Sequence, residues 1–156
     1  MAKPTELIGY CGLYCGACGI QQGKIKTAVD NLLKPIKTYG FDKIADQLAN
    51  WEPAFKHHKE FEQVLEAYKK LFGECPCCIQ GGGDPECKVR ICAKEKGYTT
   101  CVECREMATC QPLEQWRKSP GFQQRMQRIK QVGAAKYAKE MDEKVKTGYC
   151  YLDEQK

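Results

Sequence analysis

Histidine is almost missing from this chain: its 156 residues contain two, His57 and His58, side by side. A Ser/His/Asp triad or a Cys/His nucleophile pair needs an imidazole that the fold brings to its nucleophile; with only two adjacent histidines no such constellation is evident, and the enzyme question is left open, leaning to no. No apolar run approaches the ~18–20 residues that cross a bilayer, so no membrane partner is expected. Met1-Ala2-Lys3-Pro4-Thr5-Glu6 carries no apolar stretch before a cleavage site, which argues against a secretory leader and for a cytoplasmic location. A phosphate loop is missing too. Gly81-Gly82-Gly83 is not followed by Lys-Ser or Lys-Thr, and reads instead as a flexible hinge between ligand groups.

What the chain has in excess is cysteine, 12 of 156 residues. At 29% charged and 42% apolar it is neither disordered nor membrane-embedded, and its length suits a single domain over 1–156. A reducing compartment does not keep structural disulfides, so closely spaced cysteines there point to metal. The formal charge of +5 then needs correcting. Residues 112–147 hold nine basic and four acidic side chains, which is the whole excess. Each divalent ion bound by four thiolates adds −2, so two sites would bring +5 down to +1. Basicity is therefore a poor argument for nucleic acid.

Cysteine-rich and cysteine-free blocks alternate. Loops 8–20 and 73–110 carry the cysteines, apart from Cys150. The blocks between them read as helices, giving a mainly α fold with little or no sheet: about four helices around irregular metal-binding loops. Ile25, Ala28, Val29, Leu32, Leu33 and Ile36 recur at three- and four-residue steps, predicting a helix over 22–39 whose last turn Pro35 should bend or shorten. Gly40 breaks it, and Phe41, Ile44, Ala45 and Leu48 predict a second over 41–50. Pro53 suits the first turn of a third over 53–72, stopped by Gly73. Ser119-Pro120 reads as the start of a long helix over 120–147, with Phe122, Met126, Ile129, Val132, Tyr137, Met141 and Val145 on one face. A short helix is expected after Asp84-Pro85. His57 and His58 read as a solvated helix surface, Trp51 and Trp116 as core or hinge packing, and the basic side of 117–146 as the wet face of its helix.

Two cysteines separated by two residues can grip one soft cation in a tight turn. Three such pairs are present: Cys15/Cys18, Cys75/Cys78 and Cys101/Cys104. Gly16 and Gly19 would let backbone amides face the sulfurs. Cys110 can close a site begun by Cys101/Cys104. On an unbroken helix Cys87 and Cys92 would diverge by about 140°, so either Cys87 lies at a frayed start or the two serve different sites. Cys77 neighbours Cys78 and cannot readily share its ion, and Cys150 stands alone in the tail. The metal candidates are therefore Cys11, Cys15, Cys18, Cys75, Cys78, Cys87, Cys92, Cys101, Cys104 and Cys110, enough for two closed four-thiolate zinc sites with two cysteines spare. Zinc, in two ions, is the expected metal; an iron–sulfur cluster is the alternative, since an all-thiolate set serves both. Lys88, Arg90, Lys94, Lys96 and Arg105 would offset the site charge or hold thiolates ionised. Cys11-x3-Cys15-x2-Cys18 also matches the cluster triplet of radical S-adenosylmethionine enzymes, but their partial barrel takes roughly 200 residues of alternating strand and helix.

Tyr10-Cys11-Gly12-Leu13-Tyr14-Cys15-Gly16-Ala17-Cys18, then Cys75-x2-Cys78, the run Cys87 to Gly97, Cys101-x2-Cys104 and Cys110 together resemble the domain of unknown function 3795 family of bacteria and archaea. Arg128-Ile129-Lys130-Gln131-Val132-Gly133 is similar to a helix that often follows, so the resemblance covers about 8–145. It implies a small cysteine-rich protein with metal, often zinc, and no established activity. Cys77 is extra to the pattern and the Cys104–Cys110 gap is a residue longer. Some relatives append a metal ribbon where this chain offers only Cys150. The expected function is a metal-stabilised binding module with no evident catalytic site, its partner another protein. An iron–sulfur or thiol redox carrier and a zinc-dependent nucleic-acid binder are the alternatives, and oligomeric state is left open.

Overall fold

The computed structural model describes residues 3–151. The chain folds into two compact units, one built from the residues up to Gln22 together with those from Pro76 onward, the other from Gly23–Cys75. Among the described residues there is no strand, only an isolated antiparallel bridge between Ile8 and Tyr14, so the fold is mainly α. None of the described helices is long and apolar enough to cross a membrane.

The first unit holds α4 (Lys88–Glu95), α5 (Glu114–Arg117), α6 (Phe122–Val132) and α7 (Ala134–Lys146). Helices α6 and α7 pack on each other, α7 covers the turns Pro4–Leu7 and Cys15–Ala17, and α6 meets the turn Cys101–Glu103. The predicted stripe of α6 and α7 supplies the core: Phe122, Met126, Ile129, Tyr137 and Met141 are buried, along with Ile8, Tyr14 and Leu113. Tyr14 is fully enclosed, and Tyr151 brackets its backbone, accepting from the Tyr14 N–H and donating to the Tyr14 carbonyl. This clamp brings the end of the described chain to its first loop.

The single helix expected over 120–147 is two helices. Ser119 does not cap a start; its hydroxyl donates to the Trp116 carbonyl at 2.6 Å and finishes α5 instead. Gly133 then interrupts the apolar stripe with φ 78° and ψ 156°, a conformation in which an L side chain clashes with its own backbone. The Gly133 N–H still bonds Ile129 and its carbonyl receives Tyr137, so one glycine ends α6 and begins α7. Periodicity could not expose this, because a break that keeps both stripes facing the core leaves the spacing almost intact.

The second unit holds α1 (Lys24–Thr38), α2 (Ala45–Leu48) and α3 (His58–Phe72). Helices α1 and α3 run antiparallel, tied by Lys26–Glu74 at 2.5 Å and Asp30–Lys69 at 2.8 Å. The helices expected over 41–50 and 53–72 each begin as a tighter 3-10 turn, Phe41–Ile44 and Pro53–His57. Pro35 does not end α1, which runs on to Thr38. Val29, Leu33 and Ala45 form the small interior. Two expectations fail here. Trp51 is 85% exposed rather than packed. His58 is half-buried instead of sitting in solvent: it lines an apolar groove of about 620 Å³ with Ile36, Phe41, Phe55 and Phe61, and its imidazole lies 3.7 Å from Glu62, while His57, also on the groove wall, is exposed as expected.

Replacing Gly133 by alanine should cost about 1–3 kcal/mol of stability in the first unit. Gly19→Ala, where the φ is ordinary and no atom lies within 4 Å, should be near neutral. Thermal or denaturant unfolding of the two variants checks the contrast.

Candidate metal centre

The loops of the first unit have little regular hydrogen bonding, so their carbonyls need other donors. Arg90, on α4 and buried, supplies them. Its guanidinium donates to the carbonyls of Gly82 at 2.7 Å, Asp84 at 2.5 Å, Pro85 at 3.1 Å and Cys78 at 3.4 Å. The segment 78–87 therefore wraps one cation, and Gly82 is held further by its N–H to the Cys77 carbonyl at 2.7 Å. The triple glycine is a bonded loop and not the flexible hinge expected from sequence. Arg90 is a positioning residue that sequence reasoning missed, counting it only as one of five nearby charges. Its one sequence signal is its place one helical turn after Cys87.

The wrapped loop sets Cys78 and Cys87 on one cavity of about 910 Å³, with Cys11 as the third sulfur on its wall. Cys15 stands beside them: its sulfur accepts the Cys78 N–H at 3.4 Å. A second cavity of about 320 Å³ is lined by Cys92, Cys101, Cys104 and Cys110. The two cavities adjoin. Gln111 and Pro112 line both, and the Cys101 N–H donates to the Tyr10 carbonyl at 2.8 Å, next to Cys11. Cys87 precedes the first turn of α4 with non-helical backbone while Cys92 lies inside the helix, so the two face different cavities.

Not every candidate is gathered. Cys18 ends the turn that Cys15 begins, its N–H on the Cys15 carbonyl at 2.9 Å, and lines neither cavity. Cys75 closes the second unit, half-exposed. Among the described residues no three cysteine, histidine or acidic side chains already stand at ligand distance from one point. Gly16 has a packing reason as well: a Cβ there would fall 2.4 Å from the Tyr14 ring. Cys77, outside the candidate set, is buried with φ 76° and donates its thiol to the Glu6 carbonyl at 3.1 Å, which is a structural task.

Burial dominates the electrostatics of the thiols. It pushes Cys101 up to about 12, and the neighbouring sulfurs of Cys11, Cys110, Cys92 and Cys104 add to the rise. Cys11 is pushed up to about 11 by burial, against a lowering backbone bond near Leu13, with Cys78 and Cys87 raising it further. Burial raises Cys78 as well, with Cys87 adding to it and Arg90 opposing. Thiolates crowded in a poorly hydrated site repel one another, so without a cation the protonated form wins. At the mouth of the second cavity Lys96 feels Cys104, Cys92 and then Glu106, each of which holds its ammonium above the usual value.

Arg90→Ala strips the loop carbonyls of their donor and should destabilise the first unit by about 3–4 kcal/mol. Arg90→Lys should recover only part, since an ammonium lacks the planar fork. Denaturant unfolding, with limited proteolysis between residues 78 and 87, measures both.

None of the curated proteins and none of the solved structures compared with the chain matches it. A family described as protein of unknown function (DUF3795) matches residues 7–115, more than two thirds of the chain, and the match spans both cysteine loops while ending before α6 and α7. The chain belongs to the DUF3795 family.

Proposed function

We propose that the chain is a metal-stabilised binding module whose first unit holds two zinc ions. The observation that carries this is the sorting of the sulfurs. Seven of the ten candidate cysteines line two adjoining cavities, three on one and four on the other. Cys92, Cys101, Cys104 and Cys110 would make a complete tetrathiolate for one ion. Cys11, Cys78 and Cys87 would hold the second, with Cys15 beside Cys78 as the fourth donor. The donor set fits zinc, which takes four thiolates in structural sites, and bound zinc would supply charge neutralisation and cross-linking of loops. The reading takes another protein as the partner. A nucleic-acid role finds less support, because the cations of α6 and α7 are partly spent: Arg128 pairs with Glu140, and Lys146 with Asp142 and Glu143.

Elemental analysis of anaerobically prepared protein should give about two zinc per chain, the number that two tetrathiolate sites hold. Cys104→Ser should remove one ion and Cys87→Ser the other, and a chelator should lower the melting temperature. A brown sample containing iron and sulfide would replace zinc by a cluster; metal-free protein of unchanged stability would sink the reading altogether.

The pH dependence has a definite sign. With Cys11 and Cys101 held above the ordinary thiol value of 9.0, both are protonated at neutral pH before metal arrives. Zinc must displace those protons, so affinity should fall as pH falls, by about tenfold per pH unit for each proton released. Acid release on adding zinc to weakly buffered protein counts them directly.

A further inference from the structure

Helix α3 is amphipathic, yet none of its residues is buried. It meets α1 through half-buried His58, Glu62, Leu65 and Lys69, a seam that is mostly polar. A second stripe lies roughly a quarter turn around the helix at ~100° per residue. Phe61 (44% exposed), Val64 (53%), Tyr68 (50%) and Leu71 (68%) form it, with Phe72 (38%) beside Tyr68, their rings 5.9 Å apart. Apart from Ile91, every large apolar side chain exposed among the described residues belongs to this unit.

The occupant of the stripe follows from its spacing, charge and area. Steps of three, four and three residues are those of a coiled-coil seam, and they read the same in both directions. Across a two-fold axis, Phe61 of one helix falls opposite Leu71 of an antiparallel copy, and Val64 opposite Tyr68, large against small. The second unit carries nine lysines and eight acidic residues, so two copies do not repel, and a strongly acidic or basic partner finds no field to recognise. At ~150–250 Å² per large side chain, the five exposures leave roughly 400–600 Å² of largely apolar surface on each copy. Doubled, and with its polar margins, this clears the ~1,000 Å² that a specific contact needs.

We propose that α3 pairs with α3 of a second copy of this chain, so that two α1–α3 hairpins pack as an antiparallel four-helix bundle. The pairing uses the second unit alone and stands whether or not the thiols hold metal.

Light scattering or sedimentation of the full chain across a range of concentrations should give twice 17.7 kDa, dissociating on dilution. The double variant Tyr68→Glu with Leu71→Glu should run at 17.7 kDa with unchanged helical circular dichroism and metal content. If those charges unfold the hairpin, Val64→Ala with Leu71→Ala should instead weaken the dimer by roughly tenfold to a hundredfold. A wild-type chain that stays at 17.7 kDa at the highest concentration overturns the proposal. So does a folded Glu variant that keeps the doubled mass, a mass that grows without limit, or a monomer that binds only a foreign apolar helix.

Discussion

A loop with few backbone partners can be buried only if something else collects its carbonyls, and in the first unit a single guanidinium does so. Arg90 gathers four of them between Cys78 and Pro85. The position of Cys78 and Cys87 on one wall follows from this, and with it the separation of Cys87 from Cys92. The cost of burying a cation is met by four oxygens at once, where a lysine could not reach them.

The same economy of regular structure runs through the unit. Tyr151 clamps Tyr14, Cys77 donates to Glu6, and the Tyr10 carbonyl receives the Cys101 amide. These contacts join segments far apart in the chain, so the unit depends on long-range closure and not on helix propensity. Thiols enclosed by such loops are desolvated and crowded, which favours their neutral form. That gives the proposed cations a double task, relieving the repulsion and holding the loops together.

The second unit solves a different problem. Its two longer helices meet along a seam of ion pairs and half-buried polar groups, and only three side chains, Val29, Leu33 and Ala45, form its apolar interior. Amphipathic helices are stabilised mainly by what covers their apolar face. Here much of that face is left outward, on the Phe61–Leu71 stripe and in the groove walled by Phe41 and Phe55.

The mainly α class, the positions of α1, α3 and α4, and the family were readable from the chain alone, because helical spacing and ordered cysteines are local, one-dimensional signals. The split at Gly133 was not, since both halves of the stripe face one core. Nor was the division of the sulfurs: Cys11 lies 67 residues before Cys78 in the chain, and only packing could put them on one cavity with Cys87 while turning Cys92 toward Cys101. Residue types dictated which atoms have an affinity for soft cations. Three-dimensional closure, through Arg90 and the buried tyrosines, decided which of those atoms meet, because a distance between remote segments is a property of the folded backbone and is written in no single stretch of it.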